Sequence, residues 1–100
     1  MKGGHGMNLV INERILGQLE EVKQDRPDGE IDELVNCGVA FAEERYGEVD
    51  TCIIVDVEDS GDTAWIILEI LTKSNIKLGL DVTKDYDYDG DITVTPVYGA

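Results

Sequence analysis

The sequence predicts an α+β domain: two helices packed on one face of a small antiparallel β-meander, with a possible short N-terminal strand before them. Two observations carry this. Apolar residues recur at helical spacing before Gly47 and at alternate positions after Asp50, and periods of about 3.6 and 2 separate helix from strand. The length, 100 residues, accommodates one hydrophobic core and no second.

The elements follow in order. The opening "MKGGHGM" is glycine-rich and lacks the apolar stretch of a signal peptide. Residues 1–6 therefore read as a disordered leader or a remnant of cloning, and the domain as residues 7–100. "MNLVI" fits a short strand with Met7, Leu9 and Ile11 on one face. Asn12 is a good helix N-cap, and Glu13 suits the first turn. Ile15, Leu19 and Val22 then form an apolar stripe widened by Leu16, and Pro27 ends the helix. A second helix starts near Glu30, buries Ile31, Leu34, Val35, Gly38 and Ala42 with Phe41 alongside, and is capped by Gly47. Residues 7–46 are thus a strand-helix-helix unit, and residues 50–99 a four-stranded meander. Its strands are "TCIIVDV", closed by the turn cluster "EDSGD"; "TAWIILEILT", apolar enough to be buried on both sides; "IKLGLDVT"; and "DITVTPVYG". Pro96 places the last strand at an edge, because proline cannot donate to a ladder.

Composition bounds the function. The 22 acidic and 8 basic residues give a formal charge of −14. Such a surface repels phosphate backbones and anionic lipid and attracts cations or basic proteins. Cys37 and Cys52 are too few for a disulfide framework; two free thiols are the simpler reading, and a single bridge between them stays open. The longest apolar run, "AWIILEIL", has eight residues and includes Glu69, too short for a helical membrane span, so a cytoplasmic protein is expected. The one histidine, His5, lies in the leader, which leaves no histidine-based nucleophile or zinc site. "GGHG" lacks the Lys and Ser/Thr of a phosphate loop. With no assembled catalytic group, no enzyme is expected. Trp65 and Phe41 read as core residues.

The segment "NLVI", the helix "NERILGQLEEVKQ", the tight turn and the helix "IDELVNCGVAFAEER" resemble a ribbon-helix-helix unit over residues 7–46. The resemblance implies a two-fold dimer whose paired strands enter the DNA major groove. Asn8, Val10 and Asn12 would then be the outward, base-reading positions. The start of the second helix, which would seat a phosphate in that family, carries Asp28, Glu30, Asp32 and Glu33 instead. That departs from the phosphate neutralisation on which DNA affinity rests.

"KDYDYDGDIT", residues 84–93, reads either as a calcium loop or as a hairpin turn. Asp85, Asp87, Asp89, Gly90 and Ile92 match the front of an EF-hand loop, but Pro96 stands where the bidentate Glu belongs and no helix follows. A hairpin with the three-residue loop Tyr88-Asp89-Gly90 keeps Leu78, Leu80, Val82 and Tyr86 on one face with Ile92, Val94, Pro96 and Tyr98. It sets Asp87 opposite Asp91, and a cation, a basic partner or bulk screening must relieve that pair. No cofactor is expected, beyond a weak divalent-cation site at Asp85, Asp87 and Asp89.

The leading expectation is a small acidic, non-enzymatic binding protein of the inhibitor, immunity or nucleic-acid-mimic kind, engaging a basic protein that itself handles nucleic acid. Asp85, Asp87, Asp89 and Asp91 form one contact patch, and Asp28, Glu30, Asp32 and Glu33 a second. The alternatives are a ribbon-helix-helix dimer that binds DNA, and a salt-adapted acidic domain of unspecified role.

Overall fold

A computed structural model describes residues 7–25, 30–87 and 90–99. Its elements are β1 (Asn8–Ile11), a 3-10 turn (Glu13–Ile15), α1 (Leu16–Asp25), α2 (Glu30–Tyr46), β2 (Val49–Asp59), β3 (Thr63–Thr72), β4 (Lys77–Asp85) and β5 (Asp91–Gly99). The strands form one five-stranded sheet in sequence order, with β1 parallel to β2 and the rest an antiparallel meander. Both helices cover the same face, as the alternating apolar pattern requires: α2 lies over β3 and β4, and α1 beside β2.

The caps match the residues that provide them. The Asn12 side chain accepts a hydrogen bond from the Arg14 backbone N–H at 3.0 Å. At the far end of α2, Gly47 adopts φ 94° and donates its N–H to Glu43; this left-handed conformation ends the helix at little cost for glycine. Between helices and sheet lie Leu34, Ile54, Ile66, Leu68, Ile70, Leu78 and Leu80, all essentially without solvent exposure. Met7 and Ile11 pack against this core, whereas Leu9, which pairs with Cys52, is 47% exposed. Cys37 and Cys52 are free thiols, and burial pushes the Cys52 thiol up to about 12. Among the described residues no helix is long and apolar enough to cross a membrane.

Three expectations are corrected. The last hairpin pairs Asp85 with Asp91, not Asp87 with Asp91, and its connection spans residues 86–90. The shift is an even number of residues, so Leu80 and Val82 still share the core face with Pro96, Val94 and Ile92. Gly90, at φ 72°, supplies the left-handed residue. Second, Tyr98 does not join the core face. A bulge at Gly79–Leu80 leaves Val97 without a partner and sets Tyr98 opposite Gly79, on the other side of the sheet. Third, β3 is not buried on both sides. Its even-numbered residues from Ala64 to Thr72 are buried, while Trp65 and Ile67 are half-buried on the side away from the helices. Trp65 is therefore not a core residue.

Candidate functional site

The two acidic segments picked out by sequence are some fifty positions apart, and the fold brings them together. Lys84, on the helix side of β4, reaches the start of α2. Its Nζ donates to Glu30 Oε1 and Oε2 at 3.0 and 2.8 Å and to Glu33 Oε1 at 3.1 Å. The Lys84 and Glu30 side chains are only 15% and 14% exposed. The Tyr86 hydroxyl donates to Glu30 Oε1 at 3.1 Å, and Lys84 Nζ lies 5.4 Å from the Tyr86 ring centroid. Hydrogen bonding to Glu30 raises the Lys84 pKa against the opposing effect of burial. The ammonium thus ties the hairpin to the helix.

The turn between β2 and β3 joins the same end. The Tyr86 N–H donates to Asp62 O at 2.8 Å, and Asp59 Oδ1 accepts from the Gly61 N–H at 2.9 Å. Among the described residues β2 has no strand on its α1 side beyond Ile54, because β1 stops at Ile11. The Gln18 side chain instead donates to the Val57 carbonyl at 3.4 Å. The groove left between α1 and β2 has Val22 and Val57 among its walls and Glu21, Asp25, Glu58 and Asp59 around them. One pole of the molecule therefore gathers carboxylates from α1, α2 and two turns. Sequence reasoning missed Glu58, Asp59 and Asp62, although "EDSGD" flagged an acidic turn.

Asp32, Glu33, Asp87 and Asp91 are exposed, and Asp85 is half-buried. Asp28 and Asp89 lie outside the described residues. The Asp85 carboxylate accepts the Asp87 N–H at 3.0 Å and its carbonyl accepts the Gly90 N–H at 3.0 Å. Asp85 thus shapes the turn. Among the described residues no three His, Cys, Asp or Glu side chains are grouped to hold a metal ion. Asp91 makes no such turn bonds, yet it directly faces Asp85. Asp91→Lys should therefore stabilise the protein by about 0.5–1 kcal/mol by replacing like charges with opposite ones. Urea denaturation at low and high salt checks this, and the gain should shrink as salt screens it.

Of the DNA-reading positions of the ribbon-helix-helix resemblance, two lie on β1 and the third follows it. Asn8 and Val10 are exposed, and Asn12 is half-buried with its side chain engaged as the cap.

The face of the sheet away from the helices has its own chemistry. The Tyr98 ring lies across Gly79, where a Cβ would collide with the ring carbons. Its hydroxyl donates to Glu69 Oε2 at 2.5 Å, and Lys77 Nζ is 3.7 Å from Glu69 Oε1. The bond to the Glu69 carboxylate, with lesser help from burial, pushes the Tyr98 phenol up to about 12. An unfolded tyrosine ionises near pH ~10, so above that the unfolded state holds fewer protons than the native one. Stability then falls as pH rises. The contribution is intact below pH ~10 and is lost towards about 12. An absorbance titration should show a late tyrosinate phase near pH 12 that Tyr98→Phe removes.

No protein-family model, curated protein or solved structure matches this chain.

Proposed function

We propose that this is a small, non-catalytic binding protein whose carboxylate pole engages a basic protein surface, in the manner of an inhibitor or nucleic-acid mimic. The observation that supports the reading is the meeting of Glu30 and Glu33 with the Lys84–Asp91 hairpin at one end of the fold. Carboxylates from separate elements then present one dense anionic surface, within a chain of net charge −14. A fixed array of this kind steers a cationic partner and can stand in for a run of phosphates. Lys84 is consumed internally, so it holds the array together without offering a cation outward.

The test uses wild-type protein and the triple variant Asp32→Asn, Asp87→Asn, Asp91→Asn, each immobilised and exposed to nuclease-treated lysate of the native host. A basic protein should be retained by the wild type, released as salt rises, displaced by duplex DNA, and bound at least tenfold more weakly by the variant. Equal retention by both proteins would sink the reading and leave a solvated, salt-adapted surface.

A further inference from the structure

We infer that the bare face of the sheet is a docking surface for a protein bearing an apolar groove rimmed by lysine and arginine. This rests on the basic-partner reading above and extends it to a second part of the molecule.

The geometry is set by register. Along the side of β3 away from the helices run Trp65, Ile67, Glu69 and Leu71. Ile67 has Asp56 opposite it on β2 and Asp81 opposite it on β4. Trp65 has Glu58 on one side and Thr83 on the other. An apolar ridge on the central strand is thus flanked on both sides by strands carrying carboxylates. Ile53 adds to it diagonally, and a depression of about 190 Å³ opens between Thr51, Ile53, Glu69, Leu71 and Lys77.

None of this serves the core. Ile53, Trp65 and Ile67 are absent from the residues packed between helices and sheet, and the helices lie wholly on the opposite side. A half-buried tryptophan and isoleucine on an open face are the composition of an interface centre, and charged groups around them that of its rim. Charge chooses the occupant. Among the described residues the one cation on this face is Lys77, against Asp56, Glu58, Glu69, Asp81, Asp85 and Asp91 by register. A second copy of the chain would set those rows against their own kind, and a nucleic acid would add phosphates to them. A protein with cations on either side of an apolar groove meets both features, and an arginine there can also stack on Trp65.

Trp65 is the chain's single tryptophan, so its emission reports on this face. The probe is a tryptophan-free peptide alternating leucine and lysine, compared with a leucine–glutamate analogue and with oligolysine of equal charge. The leucine–lysine peptide should shift Trp65 emission to the blue and bind at least tenfold more tightly than oligolysine, with no binding of the glutamate analogue. Ile67→Ser and, separately, Asp81→Lys should each weaken it at least tenfold. Asp81→Lys leaves the apolar residues in place and guards against a folding defect in Ile67→Ser, with circular dichroism confirming both folds. If both cationic probes bind alike and neither variant matters, the docking surface is wrong and the acidic pole alone binds. If neither cationic probe binds at low salt, the basic-partner reading itself falls. Sedimentation showing a dimer of the free chain that Ile67→Ser dissociates would assign the face to a second copy and overturn the proposal.

Discussion

Gly38→Leu is expected to lower the free energy of unfolding by about 3 kcal/mol, through overpacking of the helix–sheet contact. Gly38 is buried in the middle of α2, a position where glycine ordinarily costs about 1 kcal/mol relative to alanine. The sheet explains its presence. A Cβ at Gly38 would lie 2.5 Å from Leu68 Cδ1 and 3.1 Å from Val82 Cγ2. Leu68 and Val82 have no solvent exposure, so neither side chain can swing out to make room. Leucine must push α2 off the sheet or force its neighbours out of their rotamers. Gly38→Ala is the finer probe, because two opposing effects of similar size meet there. The helix gains about 1 kcal/mol of propensity, and the clash costs about 1–3 kcal/mol. Alanine should therefore be neutral to mildly destabilising in the native background. In a Leu68→Val background, which removes the clashing Cδ1, the same change should become favourable. A double-mutant cycle by urea denaturation, with unchanged dependence on urea, measures the coupling. Additive effects would mean that α2 already has room to move.

This contact also explains why so much of the fold is legible in the sequence. Ile31, Leu34, Val35, Gly38 and Ala42 recur at helical spacing and do form the buried face of α2. Strands β3 and β5 begin and end where their turn residues place them. Periodicity suffices for the single apolar stripe of α2, and turn residues suffice for the bounds of the two strands. Legibility fails where two environments look alike. "AWIILEIL" is apolar on both its alternating sets, and that pattern cannot distinguish a strand buried twice from one whose second face awaits a partner. Trp65 and Ile67 were hidden by that ambiguity. The Gly79–Leu80 bulge is a second case. One extra residue on β5 turns Tyr98 to the other face, and nothing in "TPVYG" marks where the slip falls. Gly79 is visible only in retrospect, as the residue without a side chain beneath the Tyr98 ring.

The acidic pole was half legible. Asp85, Asp87, Asp91, Glu30, Asp32 and Glu33 stand out by composition, but their meeting depends on contacts that span more than fifty residues. Composition carries no information about which carboxylates become neighbours. Lys84 lies inside "KDYDYDGD", where it reads as one cation lost among aspartates. Its ordered contact with two glutamates of α2 gives it a distinct role.

Replacing that ammonium should be costly. Lys84→Met is expected to destabilise the protein by about 1.5–3 kcal/mol, the range for hydrogen bonds to charged groups. The methionine fills much of the lysine's volume, so the loss isolates charge from packing. Glu30 would keep the Tyr86 hydroxyl at 3.1 Å but lose the cation beside a carboxylate only 14% exposed. The pH dependence of the contribution comes from the cation. In the wild type the sign is set by the lysine, whose pKa is raised from 10.5 by the Glu30 bond. Its contribution is complete below 10.5 and is lost only as pH climbs through the higher folded value. Lys73→Met is the control. Lys73 also pairs with a glutamate, Glu48 at 2.7 Å, but those side chains are 47% and 55% exposed, and exposed pairs contribute little. Urea denaturation of both variants, at neutral pH and again towards the alkaline range, separates the cases. Equal, small losses for the two would mean that Lys84 is one more surface ion pair. A loss confined to Lys84→Met would mean that a single ammonium keeps the carboxylates of hairpin and helix together.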